Sequence, residues 1–176
     1  RHVFRRCRFL GFQDTILVNR GRHYFEDCYI AGHVDFIFGG GTDWFERCHI
    51  HCLRDGYITA ASTPQEVPFG YVFNRCRITG AAPEVKTYLG RPWRDFAATA
   101  FLDCEMGEVV RPEGWNNWKR PEREKTARYA EFGSTGPGAL PTARVPWAKA
   151  LTASEAAAIT IERVFAGAGD GWHPLT

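Results

Sequence analysis

Aromatic, cysteine and apolar residues recur along the chain in one pattern, Phe-x-x-Cys-x-apolar. The pattern occurs five times, and successive copies begin 21, 20, 28 and 28 residues apart. The copies are Phe4–Phe9, Phe25–Ile30, Phe45–Ile50, Phe73–Ile78 and Phe101–Met106. A recurring period of this size indicates a solenoid or a propeller, in which each unit buries its apolar face against the next unit.

Within each copy, inward and outward positions alternate, and this period of two predicts a β-strand. In the third copy, for example, Glu46, Cys48 and Ile50 share one side of the strand and the residues between them share the other. No amphipathic helix of about ten residues fits between the first three copies, which excludes helical repeats. Strands that return about every 20 residues without crossover helices predict a parallel β-helix.

The spacing of phenylalanine and cysteine predicts a change of direction inside each copy. A phenylalanine three residues before a cysteine cannot face inward together with it on one flat strand. We therefore expect a bend or a bulge at the two intervening residues. The chain has six cysteines, and we expect those of the repeat to form an interior ladder of free thiols.

The longer later steps predict loops, and the end of the chain predicts a helix. Residues 59–70 contain two prolines and are expected to leave the solenoid as a loop. Thr152 and Glu155 form a capping-box pattern that predicts a helix over residues 153–165, with Leu151 as a hydrophobic staple. We expect one β-helix domain over residues 1–176, with repeats to about residue 110 and a tail over residues 111–176.

Composition and charge narrow the classes of function. Apolar residues make up 44% of the chain and charged residues 24%, which is typical of a globular protein. A net charge of +2 and the lack of a basic, aromatic-rich stripe argue against nucleic-acid binding. No run of about 20 apolar residues predicts a membrane-spanning helix. We expect a monomer without a membrane partner, and a chain that starts inside a repeat is expected to be a fragment.

Two aspartates occupy equivalent positions on consecutive copies. Asp14 follows Cys7 by seven residues, and Asp35 follows Cys28 by seven residues. Because stacked strands lie ~4.8 Å apart, their carboxyl groups should come within roughly 5–6 Å if they share a face. Such carboxylates repel, and one should hold its proton more tightly than the other. This asymmetry suits a general acid beside an ionised nucleophile.

The register alone leaves a structural alternative open. Asp55 also follows a cysteine of the repeat, Cys48, by seven residues. The position could therefore hold three stacked carboxylates, or it could be a turn site where aspartate bonds to the backbone.

Three segments extend the pattern to a known family. Gly11–Thr15 reads Gly-Phe-Gln-Asp-Thr, Val34–Gly39 reads Val-Asp-Phe-Ile-Phe-Gly, and Leu89–Trp93 reads Leu-Gly-Arg-Pro-Trp. In this order, with 21 residues between the two aspartates, they resemble signature segments of the pectin methylesterase (pectinesterase) family. Ser134–Gly138 also fits. The resemblance covers nearly the whole chain and implies a right-handed parallel β-helix.

The resemblance also implies a mechanism and a role for each matching residue. Asp35 would attack the methyl ester of a galacturonate residue and form an acyl-enzyme. Asp14 would protonate the departing methanol and then activate water. Gln13 would donate to the oxyanion.

The same resemblance assigns substrate-binding residues. Arg91 would keep Asp35 ionised, and Trp93 would pack on a sugar ring with Phe38 beside it. No cofactor is implied, and the partner would be methyl-esterified polygalacturonate, in a secreted or periplasmic location. Read without the motifs, Arg91 could be a surface ion pair, Trp93 a loop-core residue and Gln13 a turn cap.

The family carries a further substrate-binding glutamine on a coil upstream of this chain's first residue. The activity is thus implied for the full-length parent, and an inactive isolated chain is an open alternative. Two rival functions also remain: a β-helix glycoside hydrolase, which uses paired carboxylates as well, and a non-catalytic pectin-binding solenoid.

Other possible sites are less favourable. In Cys48–Cys52 (Cys-His-Ile-His-Cys), the cysteines and the histidines should face opposite sides of a strand, which argues against zinc. No serine lies in a Gly-x-Ser-x-Gly frame, and Gly39–Gly41 lacks the Lys-Ser/Thr of a phosphate loop.

Overall fold

The computed structural model describes residues 1–175, and these form a parallel β-helix, as predicted. Strands β1, β4, β6, β8, β11, β13 and β14 form one seven-stranded sheet, and the other strands form a second. Every described strand pair is parallel. In chain order the strands are β1 (His2–Arg5), β2 (Arg8–Leu10), β3 (Ile16–Leu17), β4 (Arg22–Glu26), β5 (Tyr29–Gly39), β6 (Thr42–Glu46), β7 (His49–Ala61), β8 (Tyr71–Asn74), β9 (Arg77–Gly80), β10 (Thr87–Gly90), β11 (Ala98–Leu102), β12 (Glu105–Met106), β13 (Arg128–Phe132) and β14 (Lys149–Ala150).

A left-handed residue turns the chain from one sheet into the other on each coil. The residue immediately before each repeat cysteine has a φ between 49° and 53°. These residues are Arg6, Asp27, Arg47, Arg75 and Asp103. The predicted bend is therefore confirmed, but it is a corner between two sheets rather than a bulge within one strand. The corner lets both the phenylalanine and the cysteine of a copy face the interior.

The repeated phenylalanines form a ring stack through the core. The centroids of Phe4 and Phe25 are 4.9 Å apart, and those of Phe25 and Phe45 are 4.6 Å apart. Phe73 continues the stack at 4.4 Å from Phe45, and Phe101 follows at 4.4 Å from Phe73. The cysteines are free thiols, and four of the five in the repeat are buried, as predicted. This interior stack fixes the register of the coils on which the site depends.

Replacing the central ring of this stack is expected to be strongly destabilising. Phe45 is fully buried, and removal of a buried phenylalanine side chain typically costs about 3–5 kcal/mol. We expect Phe45→Ala to lower the free energy of unfolding by about this amount, as measured by urea denaturation. Phe12→Ala is the matched control, because Phe12 is 64% exposed and a surface change is within about 0.5 kcal/mol. Equal losses in the two variants would contradict the ring stack as a source of stability.

The prediction of a loop over residues 59–70 needs correction. The excursion expected over residues 59–70 is shorter, because β7 continues to Ala61 and only the following residues leave the sheet. The guanidinium of Arg128 holds this loop by donating to the carbonyl oxygen of Val67 at 2.7 Å, and it also donates to that of Phe96, in the segment before β11, at 2.8 Å.

The single helix predicted over residues 153–165 is wrong, because the segment forms two short helices, α1 (Ala153–Ala157) and α2 (Ile161–Phe165). Thr160 adopts an extended conformation between them and caps α2 through the N–H of Arg163. A residue that is extended to serve as an N-cap cannot also continue the preceding helix. The capping box of Thr152 and Glu155 at the start of α1 is confirmed.

The β-helix continues beyond the last copy of the sequence repeat. Strand β13 pairs with β11, and β14 pairs with β13, well beyond the last copy of the motif. Among the described residues, none of the helices combines the length and the apolar character required to cross a membrane.

Candidate active site

Asp14 and Asp35 lie at the same register on neighbouring coils. Before the aspartates, Leu10 of β2 pairs with Ala31 of β5, and after them Ile16 of β3 pairs with Ile37 of β5. In each pair the two partners are 21 positions apart in the sequence, which is also the spacing of the two aspartates. The coils thus stack Asp14 on Asp35, as the equal spacing from cysteine predicted.

Both aspartates adopt a left-handed backbone conformation, which the sequence did not predict. The φ angle is 53° at Asp14 and 50° at Asp35. The N–H of Asp14 donates to the carbonyl oxygen of Val34 at 3.1 Å, so the two turns are joined directly. Non-glycine residues in this region are uncommon, although aspartate tolerates it better than most. Such conformations are enriched at functional sites.

The two carboxyl groups have different surroundings. Asp14 is exposed, whereas Asp35 is only 5% exposed and is bound by Arg91. The Arg91 Nε and Nη2 atoms donate to the two carboxylate oxygens of Asp35 at 2.9 and 2.7 Å. Two parallel hydrogen bonds of this kind are the typical contact between a guanidinium and an ionised carboxylate.

Burial raises the pKa of Asp35 above its ordinary value. The hydrogen bonds and the charge of Arg91 act in the opposite direction, and the nearby Asp14 raises the pKa further. The predicted effect of Arg91 on Asp35 thus has the expected sign, but burial outweighs it. A carboxylate that ionises against burial is a more basic nucleophile once its proton has left.

Weakening this pair should shift the pH dependence of the reaction proposed below. Lysine keeps the charge of Arg91 but cannot make the planar two-point contact. We expect Arg91→Lys to raise the pKa of Asp35, so that activity is lost at a higher pH as the solution is acidified. At neutral pH, kcat/KM should fall by about 10- to 100-fold, the loss of one charge-assisted hydrogen bond. A pH–rate profile of kcat/KM checks both, and an unmoved acid limb would contradict the role of Arg91.

The segment that carries Arg91 is fixed to the end of β7. The N–H of Arg91 donates to the carbonyl of Thr59 at 3.0 Å, and that of Trp93 donates to the carbonyl of Ala61 at 3.0 Å. From the other side, buried Arg123 donates to the carbonyl of Pro92 at 2.7 Å. These bonds set the direction in which the Arg91 side chain leaves the backbone.

Two aromatic residues that the sequence did not single out cover the guanidinium of Arg91. Its Cζ atom lies 3.8 Å from the ring centroid of Tyr57 and 3.6 Å from that of Trp118. Two rings this close to one carbon atom must cover it from different sides. Tyr57 comes from β7, whereas Trp118 comes from the tail. The abundance of tryptophan in the tail was the only sequence signal for Trp118, and it did not predict where in the structure this side chain would lie.

The remaining predicted residues lie beside this centre. Trp93 and Phe38 are half-buried, and their ring centroids are 5.9 Å apart at an interplanar angle of 55°. They form an aromatic wall, in which Phe38 follows Asp35 on β5 and Trp93 follows Arg91 by two residues. Gln13 is exposed and directly precedes Asp14, in the segment between β2 and β3.

Asp55 does not join the acidic pair. Gly32 of β5 pairs with Cys52 of β7, but Val34 pairs with Tyr57, so β7 holds three additional residues here. The Asp55 carboxylate instead accepts from the backbone N–H of Lys86 at 2.8 Å. Asp55 lies within strand β7 and binds the backbone of another coil, so neither the stack of three carboxylates nor a turn describes it.

The cysteine and histidine cluster does not form a metal site either. Cys48 and Cys52 are buried in the core, whereas His49 and His51 are half-buried and both bond the hydroxyl of Thr79, at 2.7 and 2.8 Å. The four side chains do not converge. Within residues 1–175, no group of three potential metal ligands comes together.

The described residues thus form a parallel β-helix in which two aspartates lie in register on neighbouring coils and an arginine binds one of them. The chain belongs to the Pectinesterase family, whose sequence model matches residues 1–168.

Relatives and solved structures agree with this membership. Pectinesterase 31 of Arabidopsis thaliana is 45% identical over 157 residues, which cover 89% of this chain and 50% of the relative. The pectin methylesterase from carrot superimposes with a TM-score of 0.88 at 33% identity, over 96% of this chain and 58% of that one. A pectin methylesterase variant in complex with a hexasaccharide gives a TM-score of 0.82 at 29% identity, over 98% and 58% of the two chains. The chain spans between 28% and 50% of the length of these curated relatives.

Proposed function

We propose that the protein is a carbohydrate esterase that hydrolyses methyl esters of polygalacturonate to free carboxylates and methanol. The observation that carries the proposal is the bidentate Arg91–Asp35 pair, with Asp14 in register on the neighbouring coil. One carboxylate is buried and oriented, and the other is exposed within reach of it. This asymmetry suits a nucleophile and a proton carrier.

In the first half of the reaction, a carboxylate oxygen of Asp35 attacks the ester carbonyl carbon. A bond forms between that oxygen and the carbon, and the bond to the methoxy oxygen breaks. Asp14 gives its proton to the departing methoxy group, so methanol leaves and an acyl-enzyme anhydride remains. The Gln13 amide donates to the oxygen on which negative charge develops.

In the second half, Asp14 acts as a base. It takes a proton from a water molecule as the water attacks the anhydride, and the bond to Asp35 breaks. The products are a galacturonic acid, the ionised Asp35 and a protonated Asp14, ready for the next cycle, and the galacturonic acid then releases the second proton of the water to the solvent to become a carboxylate. Arg91 stabilises the Asp35 carboxylate when it is released.

The aromatic wall of Trp93 and Phe38 supports a sugar ligand. Flat aromatic rings pack well on the apolar faces of sugar rings, and both rings are partly exposed on the segments that carry Asp35 and Arg91. The hexasaccharide complex of the related pectin methylesterase lends support to an oligosaccharide as the substrate. A monomeric state and a secreted or periplasmic location are parts of the same proposal.

Methanol release from highly methylated pectin by the full-length protein tests the proposal. We expect methanol to appear while the length of the polymer stays constant. Shortening of the polymer without methanol would indicate a glycoside hydrolase instead. Binding to pectin with neither product would indicate a non-catalytic solenoid, and both outcomes would overturn the proposal.

A further inference from the structure

The guanidinium of Arg91 is held in an aromatic cage formed by Tyr57 and Trp118. Its Cζ atom is 3.8 Å from one ring centroid and 3.6 Å from the other. The cage continues on one side, because Tyr57 stacks on Tyr88 at 5.4 Å and an interplanar angle of 11°. Arg91 therefore packs as one layer of an ordered stack, and its side chain is only 18% exposed.

The loop that carries Trp118 adopts an unfavourable backbone to complete the cage. Trp118 and Lys119 have consecutive positive φ angles of 60° and 54°. A bulky residue in this region is an outlier that the surrounding structure must stabilise. Asn116 and Asn117 supply that support, because their side-chain oxygens accept from the N–H groups of Trp118, at 2.8 Å, and Lys119, at 2.9 Å.

One short element connects the cage with the arginine that it holds. Asn117 donates to Glu124 at 2.8 Å, and Glu124 lies in a short 3-10 helix, Pro121–Lys125. Arg123 of the same helix donates to the carbonyl of Pro92, next to Arg91. The loop of Trp118 and the segment of Arg91 are thus fixed to the same support.

The need for such a cage follows from the product of the proposed reaction, on which this inference rests. Each turnover converts a neutral methyl ester into a carboxylate on the same polymer. Arginine binds carboxylates through two parallel hydrogen bonds, which is also how Arg91 binds Asp35. Galacturonate carboxylates near the site therefore compete with Asp35 for Arg91.

We propose that Tyr57 and Trp118 are positioning residues that keep Arg91 on Asp35 in the presence of de-esterified galacturonate. Stacking on both rings favours the one orientation in which the Nε and Nη2 edge faces Asp35. Without the cage, Arg91 can turn toward a carboxylate of the product and leave Asp35 buried without its partner. A protein without the cage should therefore be inhibited by its product.

Carbon-13 NMR of the Asp35 carboxyl group, with and without fully de-esterified trigalacturonate, tests the cage independently of activity. In the wild type, the oligomer should leave the pKa of Asp35 unchanged. In Trp118→Ala it should raise that pKa, because Arg91 is drawn away. Tyr57→Leu opens the other side of the cage and should respond in the same way, whereas Trp118→Phe should restore the behaviour of the wild type.

Trp172→Ala is the matched control, because Trp172 also covers an arginine, Arg22, at 5.1 Å but does not contact Arg91. In methanol-release assays, trigalacturonate should inhibit Trp118→Ala about tenfold more tightly than the wild type, the worth of one strong cation–π contact. Trp118→Ala and Tyr57→Leu responding like Trp172→Ala in both measurements would overturn the inference. If the wild type releases no methanol, the proposed function fails, and the NMR measurement alone decides on the cage.

Discussion

Asp35→Asn should abolish methanol release from pectin. The neutral amide cannot attack the ester and form the anhydride, and loss of a nucleophile typically lowers kcat by about 10⁴- to 10⁶-fold. The variant also loses the charge that Arg91 binds through two hydrogen bonds. The measurement is the initial rate of methanol release by the full-length protein at saturating pectin, with thermal unfolding as a check that the variant is folded.

Asp55→Asn is the matched control for this prediction. Asp55 has the same spacing from its cysteine as Asp35, but β7 places it beside Lys86 and outside the acidic pair. It should retain the activity of the wild type. Comparable losses in the two variants would mean that the register of the coils, and not the chemistry of Asp35, had been disturbed.

Asp14→Asn should have the second-largest effect. Without a proton donor for methanol and a base for water, both halves of the reaction slow, and general acid–base groups typically contribute about 10²- to 10⁴-fold. Asparagine tolerates the left-handed backbone that Asp14 adopts, so the fold should be preserved. The measurement is the initial rate of methanol release at saturating pectin.

Asp103→Asn controls for the backbone change at Asp14. Asp103 is also exposed and left-handed, with a φ of 50°, but it lies at a corner between the sheets on a later coil. The Asp103→Asn variant should release methanol at the rate of the wild type. An Asp14→Asn variant with an unchanged rate would exclude Asp14 as the proton carrier.

Much of the fold could be predicted from the sequence because each coil repeats the same packing problem. Phenylalanine and cysteine at a constant spacing must both reach the core, and only a turn between them allows it. The same periodicity placed Asp14 over Asp35, since no insertion separates their coils. The corner itself was expected only as a bend or a bulge, because sequence spacing does not distinguish a bent strand from a change of sheet.

Sequence reasoning did less well where an insertion or a distant segment decides the structure. Asp55 leaves the column of aspartates because β7 holds three additional residues, which shift its pairing with β5. Trp118 reaches Arg91 from 27 positions further along the chain, through a loop with two left-handed residues. Neither the insertion in β7 nor the loop of Trp118 recurs along the chain, so the repeat could not predict them. The helix over residues 153–165 divides because Thr160 prefers the role of a cap, a local competition that periodicity does not resolve.

The pKa of Asp35, measured by carbon-13 NMR in the wild type and in Asp14→Asn, tests the stacked carboxyl groups most directly. Burial and the charge of Asp14 both raise that pKa in the structure. Removing the Asp14 charge should therefore lower it, whereas Asp55→Asn should leave it unchanged. An Asp35 pKa that is indifferent to Asp14 would mean that the two side chains do not face each other, and the proposed division of labour between them would be wrong.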